Sequence, residues 1–367
     1  MGSETAYVPI DVVRSFMVDV FVGLDVPPDD ADVCADVLIT SDLRGIESHG
    51  IGRLRMYYDR IRAGIQFPTT NFQVVRDQGA TAVVDGGHGM GHVIGVRSMN
   101  MAIDKAKEYG LGSVAVRNST HYGIAGYYVL MAIRRGMVGM TTTNARPSVA
   151  PTFGVEPLLG TNPITFGCPT DDAFPFVIDC ASSITQRGKI EVLDREGKPT
   201  PKGWAIDSEG NPHTNTPALL TDLVAGAAAL LPLGGAGESL GGHKGYGYAT
   251  MAEILSAALQ GGSHTKALLG WQGEKRVPYN LGHFFLAIDI AHFIEVDAFK
   301  KTAGDICRIL RTSTKVRGQA RIWTAGEKEY EAEKAARERG VPINHRLQKN
   351  IKEMQTQLGL QQYQFPF

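Results

Sequence analysis

The chain has 367 residues, of which 43% are hydrophobic and 20% charged, and its formal charge is −1. That length points to about two domains and that composition to a soluble globular protein. A charge so near zero excludes the strong field that gathers nucleic acid or an anionic membrane, and the longest greasy run, 223–233, is too short to span a bilayer and is broken by Gly226 and Pro232. The four cysteines, Cys34, Cys168, Cys180 and Cys307, are widely separated and show no C-x-x-C spacing. They read as free thiols of a reducing compartment, not as a disulfide framework or zinc ribbon. Residues 1–5 carry no basic stretch followed by an apolar run, so a cytoplasmic protein without a signal peptide is expected.

The N-terminal third reads as helices. Apolar residues recur at three- and four-residue spacing over 9–22, 28–41 and 51–62, with proline near the first two starts and Gly64 after the third. Strands and helices then alternate: a strand at 81–85, a helix at 91–109, a strand at 112–116, a helix at 124–135 and a strand at 138–143. This alternation argues for an α/β layer. Beyond Pro147 the reading gives strands at 163–168 and 174–179, a loop rich in Pro, Gly and Asn at 198–217, and a helix at 245–259. A strand at 283–289, an amphipathic helix at 297–312 and a charged helical tail from Gly326, broken at Pro342, complete the chain.

Several motifs invite a function. Asp85–Gly91 follows a strand and precedes a helix, as a dinucleotide fingerprint does, but Gly87, Gly89 and Gly91 alternate and Val93 stands two residues beyond. The next strand also ends in Arg117-Asn118 and not in an acid for a ribose hydroxyl. A tight strand-to-helix turn is the simpler reading. His88 and His92 have an i, i+4 metal spacing without a third ligand, so no metal is expected. Gly237-Glu238-Ser239-Leu240-Gly241 matches the G-x-S-x-G of a hydrolase elbow, yet Gly242–Gly245 intervene before the helix and Pro232 spoils the preceding strand.

Ser48-His49-Gly50-Ile51-Gly52-Arg53 is more informative. A helix starting near Ser48 places His49 and Arg53 one turn apart on one face. The positive helix end and Arg53 both disfavour imidazolium, leaving a neutral imidazole beside a guanidinium fork. The fork can hold a carboxylate while the imidazole exchanges a proton with an adjacent oxygen. His121, at a strand end that leads into a helix, occupies a similar niche. The plainer alternatives are a surface His–Arg pair and a structural strand-end histidine.

Taken together, "DLRGIESHGIGRL", "RNSTHYGIAGYY", "VAPTFGVEPLLGTNPITFGCP", "FVIDCASS", "GWAIDSEGNP", "HKGYGYATMAEILSAAL", "NLGHFFLAID" and a late "AGE" resemble the malate/L-lactate dehydrogenases of the second type. That group includes sulfolactate, ureidoglycolate and diketogulonate oxidoreductases and piperideine-carboxylate reductase. The likeness covers nearly the whole chain. It implies a non-Rossmann, sulfolactate-dehydrogenase-like α/β fold with a mixed central sheet. It also implies hydride transfer between NAD or NADP and a small 2-hydroxy or 2-oxo acid, malate foremost, in a homodimer with shared active sites. A helical unit of 1–75 with 300–367 and a cofactor unit of 76–299 are expected. By resemblance, His49 and His121 handle the proton and Arg53 the substrate carboxylate, with Ser48, Thr161 and Asn162 nearby. Asn144, Asp179, Cys180, Ala181, Ser182, Ser183, His243, Lys244, Gly245, Gly326 and Glu327 are the implied cofactor contacts. The seven glycines of Gly234–Gly247 would then let bare backbone approach the cofactor. The stretch Gly235–Gly242 before Lys244 is longer than the family pattern or spaced differently, and the 198–217 loop is expected to vary with substrate. Rival readings are a related acid as substrate, a hydrolase using Ser239 and a silent binding protein.

Overall fold

The computed structural model describes residues 5–367. Helices α1 (Ile10–Val22), α2 (Pro28–Leu43) and α3 (Leu54–Arg62) start close to their expected positions, and a 3₁₀ turn, Ile51–Arg53, leads into α3. Phe16, Phe21, Leu38, Leu54 and Tyr57 of these helices are buried together with Ile351 and Met354 of α11 (His345–Leu358). Strand β1 (Ala6–Val8) pairs antiparallel with β13 (Val341–Ile343), tying the two ends of the described chain together.

A mixed seven-stranded sheet carries the rest. Its strands are β2 (Gln73–Gln78), β3 (Thr81–Asp85), β4 (Leu111–Ser119), β5 (Met137–Thr143), β6 (Ile164–Cys168), β7 (Phe176–Cys180) and β12 (Leu281–Asp289), in the order β2-β3-β4-β12-β5-β6-β7. β3 and β4 are parallel, whereas β12 is antiparallel to both β4 and β5, and β6 is antiparallel to both β5 and β7. It follows that β3, β4, β5 and β7 all point the same way and end on one edge. Helices α4 (Gly91–Tyr109) and α5 (Gly126–Ile133) cover one face, where Val84, Val114, Val116, Tyr128, Phe285 and Ala287 form the core. Helix α8 (Gly242–Ala257) lies on the other face, where Ser256 Oγ meets Thr142 Oγ1 at 3.1 Å.

Several expectations need correction. The loop at 198–217 contains β8 (Ala205–Asp207), paired with β9 (Ala228–Leu230), and its last residues open α7 (Thr216–Ala225). The Asn215 side chain caps α7 by accepting from Ala218 N–H, a local competition that Pro and Asn content alone hides. β2 escapes a pattern search because all six of its residues are exposed. The segment 300–312 does not join the helical unit. It belongs to α9 (Val296–Thr312), whose Val296, Phe299 and Ala303 pack on Val138, Cys168 and Ile290 beside the sheet.

At the functional edge, His283 of β12 holds its neighbours together. Its Nε2 lies 2.7 Å from Ser119 Oγ on β4, its Nδ1 lies 2.7 Å from Thr143 Oγ1 on β5, and its ring stacks on Tyr122 at 4.3 Å. Burial pushes its pKa from 6.5 down to about 3. The unfolded chain therefore binds this proton first, and stability falls as pH drops from 6.5 toward that value. His283→Phe should lose about 2–3 kcal/mol at pH 7 by orphaning two buried hydroxyls. Its stability should also vary less with pH below 6.5 than the wild type's, which urea unfolding at several pH values measures.

Candidate functional site

The edge where β4 ends is occupied by His121. Its Nδ1 accepts from the Gly123 N–H at 3.3 Å and lies 2.5 Å from the Tyr57 hydroxyl on α3. A backbone N–H has no alternative role, so Nδ1 is an acceptor and the imidazole proton sits on Nε2. The rings of His49 and His121 are stacked at 5.4 Å with 23° between their planes. Burial, then the charges of His49, Arg53 and Arg60, hold the His121 pKa well below the usual histidine range.

His49 sits in a tight turn that Asp42 organises from within. The buried Asp42 carboxylate accepts the Ile51 N–H at 2.8 Å and so caps the 3₁₀ turn carrying Arg53. Gly50 is required there, because a Cβ would stand 1.8 Å from Asp42 Oδ1. The expected helix start near Ser48 is thus displaced to Ile51, and His49 precedes the helix instead of lying on it. Convergence survives the change. Arg53 Nε donates to Ser48 O at 2.9 Å, Ser48 Oγ lies 2.8 Å from His49 Nδ1, and burial followed by the Arg53 charge lowers the His49 pKa to about 4.

Sequence reasoning missed two residues of this cluster, Tyr57 and Arg60. The available signal was spacing: Arg53, Tyr57 and Arg60 stand at i, i+4 and i+7, one stripe of α3. Arg60 stacks on Tyr279 at 4.5 Å, and no carboxylate among the described residues pairs with Arg53 or Arg60. Two guanidinium groups therefore face two uncharged imidazoles with no internal anion to neutralise them.

The edge also gathers most of the implied cofactor residues, though not always with free side chains. Asn144 accepts from Gly282 N–H and donates to Ser263 O. The wholly buried Asn162 holds Ala145 N, Ala249 O and Glu253. Asp179 is committed to Gly126 N–H and Thr165 Oγ1, Ser182 Oγ to the carbonyls of Thr161 and Asn162, and Ser183 Oγ to Thr185 O. These side chains brace the strand ends. Cys180 is exposed at the end of β7, with Ala181 half-buried after it, and His243 and Lys244 stand exposed on the first turn of α8. An exposed lysine beside the positive end of a 16-residue helix, against open strand ends, fits the phosphates of a dinucleotide.

Gly326 and Glu327 are not brought to this edge. Gly326 packs on Pro175 O, at the start of β7, and Glu327 is buried against Arg321 and Thr324. The glycine-rich loop also has another physical cause. A Cβ on Gly242 would stand 2.0 Å from Gly235 O, and one on Gly245 would stand 2.1 Å from Leu233 O. These glycines let the loop fold tightly on itself.

The remaining motifs resolve plainly. Gly91 is closed over by the Thr120 carbonyl, which would lie 2.4 Å from its Cβ, so the Asp85–Gly91 turn is packed shut. Asp85 is spent on Gly87 N–H, Arg117 and Asn118. Ser239 lies in an exposed turn, and among the described residues no histidine bonds to it. His92 is buried with neither ring nitrogen hydrogen-bonded, 4.7 Å from the Tyr57 ring, and the described residues hold no metal-ligand cluster.

Neutral imidazoles beside unpaired guanidinium groups suit proton exchange on the oxygen of a small organic acid, which places the chain among enzymes of hydroxy- and oxo-acid chemistry. A family model described as malate/L-lactate dehydrogenase matches residues 8–352, and the chain belongs to that family. It is similar to the malate dehydrogenase of Pyrococcus horikoshii, at 44% identity over 96% of each chain. It is also similar to the L-sulfolactate dehydrogenase of Methanocaldococcus jannaschii, at 35% identity over 95% of this chain and 96% of that one. The crystal structure of malate dehydrogenase from Entamoeba histolytica superposes with a TM-score of 0.95 at 43% identity, covering 99% of this chain and 100% of that one. The chain is a dehydrogenase acting on a hydroxy acid with a nicotinamide cofactor, which when bound accepts or supplies the hydride.

The depressed histidine pKa values fix an expected pH profile. The neutral form of His49 persists as pH falls through 6.5 and is lost only near about 4. In initial-rate measurements, kcat/KM should stay level from pH 7 to about 5 and fall below that. An inflection near 6.5 would contradict the neutral-imidazole site.

Proposed function

We propose that the chain interconverts malate and oxaloacetate with NAD or NADP, as a cytoplasmic homodimer. The observation that carries the choice of acid is the pairing of Arg53 with Arg60, both acting on His121 and neither matched by a carboxylate. A substrate with one carboxylate answers one of these cations; a dicarboxylate answers both. In this reading Arg53 clamps the carboxylate next to the reacting carbon and Arg60 takes the distal one. His121 Nε2–H hydrogen-bonds the substrate oxygen, and Tyr57 and the Gly123 N–H hold the ring in that tautomer. His49, stacked on it, keeps the pair uncharged and orients through Ser48. Lys244 and the start of α8 receive the dinucleotide phosphates. The 44% identity to a malate dehydrogenase supports the same acid. A second acid with an anionic distal group, sulfolactate, is the rival reading, supported by the relative at 35% identity.

Initial rates with malate, sulfolactate and lactate, each with NAD and NADP, test this directly. Arg53→Lys should reduce kcat/KM for every acid by roughly 10–100-fold, since a point charge cannot replace a bidentate fork. Arg60→Met should lower the preference for malate over lactate by a comparable factor and leave lactate nearly unchanged. Equal losses for both acids would remove Arg60 from the distal position.

The dimer is supported by an apolar stripe on α8. Tyr248, Met251 and Ile254 are 56%, 36% and 55% exposed, too continuous a surface for a monomer to leave in water without cost. Ile254→Asp should sediment as a monomer where the wild type sediments as a dimer, and activity should fall with it if the second copy completes the site. A monomeric wild type would refute this part.

A further inference from the structure

Tyr279 stands in the chain that joins α8 to β12, and the fold is built tightly around its ring. The joining segment contains a 3₁₀ turn, Thr265–Leu268, and then a short antiparallel hairpin of β10 (Trp271–Gln272) and β11 (Lys275–Arg276). It is anchored at that turn, where Thr265 N–H donates to Glu253 at 2.9 Å and Lys266 pairs with Glu156. Tyr279 is only 7% exposed and is buried together with Ile65, Leu268 and Leu281. A Cβ on Gly270 would stand 2.8 Å from Tyr279 Cε1, so the base of the hairpin closes directly on the ring. The hydroxyl is held as well, accepting from Arg276 Nη2 at 3.2 Å.

This ring carries Arg60. The Arg60 guanidinium carbon lies 4.5 Å from the centre of the Tyr279 ring, and Arg60 belongs to the same stripe of α3 as Arg53 and Tyr57. Its charge reaches His121, and among the described residues no carboxylate pairs with it. A half-buried cation without an acid needs another hold, and the two kinds of hold differ in their consequences. A carboxylate would take up the N–H edges of the guanidinium and cancel its charge. An aromatic face attracts the cation through the ring quadrupole and restrains a long side chain, yet leaves charge and N–H donors to an incoming anion. Arg276, the other guanidinium near this ring, is spent on the Tyr279 hydroxyl and on the face of Trp271 at 4.7 Å.

We propose that Tyr279 is a positioning residue for substrate selection: its ring fixes the Arg60 guanidinium where it meets the distal acidic group of the substrate, a role that rests on Arg60 being the cation for that group. Without the ring, Arg60 keeps its charge and loses its fixed direction, so the cost falls on acids that carry a second anionic group. The hold is itself firmly placed. Asn280, left-handed at φ 54°, turns the chain from Tyr279 straight into β12, whose His283 ties the strand ends of the catalytic edge together. The segment between α8 and β12 therefore acts on specificity through Arg60 and leaves the reacting carbon to Arg53 and the histidines.

A double-mutant cycle on kcat/KM provides the test, run at saturating cofactor with malate, or with sulfolactate where that is the faster substrate. Tyr279→Leu should lower kcat/KM roughly tenfold, mainly through KM, and should cost lactate less. With Arg60→Met already present, the same change should cost less than about twofold, because no guanidinium is left to hold. A loss that came from loosening the fold would be the same in both backgrounds. Tyr279→Phe keeps the ring and should stay within about threefold of wild type. If Tyr279→Leu does not fold, Tyr279→Met takes its place in the cycle. The proposal is overturned if the aliphatic variant keeps wild-type kcat/KM, if it costs as much with Arg60→Met as without it, or if Tyr279→Phe loses as much as the aliphatic variant. Its failure is separable from that of the distal-group reading. Equal losses for malate and lactate in Arg60→Met alone remove Arg60 from the distal group, whereas an additive cycle removes Tyr279 from Arg60.

Discussion

The catalytic edge depends on keeping positive charge unneutralised beside groups that must stay neutral. Arg53 and Arg60 have no carboxylate partner among the described residues, and burial, followed by the charges of His49, Arg53 and Arg60, holds the His121 pKa well below the usual histidine range. The same charges that would bind an organic anion therefore also set the protonation state of the groups that act on it. An anion bound there would cancel part of that field and move the His121 pKa back toward its ordinary value. On the reading proposed above, an acidic neighbour here would compete with the substrate for the guanidinium groups. A single aspartate placed among these groups would bind Arg53, raise the histidine pKa values and fill the substrate's place.

The fold places its acids behind the site and directs them away from it. Asp42 is buried, raised to a pKa of about 8, and turned inward onto the Ile51 N–H. Asp179 is turned onto the start of α5, and Glu253 is turned onto Asn162 and Thr265. Each carboxyl group fixes a loop or a strand end, and burial raises the pKa of all three. The strand ends themselves are held by His283, which joins β4 to β5 through two hydroxyls. A buried polar network of this kind costs desolvation, and its return is a fixed geometry at the edge it supports.

Much of this was legible in the sequence, and the illegible parts have definite causes. The strand at 81–85 and the helix at 91–109 fall where periodicity puts them, because both bury one regular face. The His49–Arg53 pair was visible although the helix start was misplaced, since a turn capped by Asp42 brings the two side chains together as effectively as a helical step. Arg60 lacked a motif of its own and could only be reached by following the face of α3. Asn144 and Asn162 read as ligand-contacting amides, and between them they make four hydrogen bonds to backbone from other elements and one to Glu253. No local window contains those partners. The packing of Gly326 at the start of β7 is likewise outside any local window, because which end of a strand a distant segment meets is decided by tertiary packing.

The glycine-rich stretches carry a more general lesson about what glycine density means. Both the Asp85–Gly91 turn and the Gly234–Gly247 loop invite a phosphate, and in both the missing Cβ makes room for protein backbone: Thr120 in the first, Gly235 and Leu233 in the second. Backbone carbonyls are acceptors and repel phosphate oxygens, so a glycine packed against a carbonyl is an argument against an anion at that spot. The N–H groups at the start of α8 are the opposite case. They form the positive end of a 16-residue helix, beside which Lys244 is exposed, and there the electrostatics favour an anion. The loop's glycines act one step earlier: by letting the chain turn back on itself within a few residues, they bring the positive end of α8 up to Ser182 and Ser183. Glycine here positions the end of a helix.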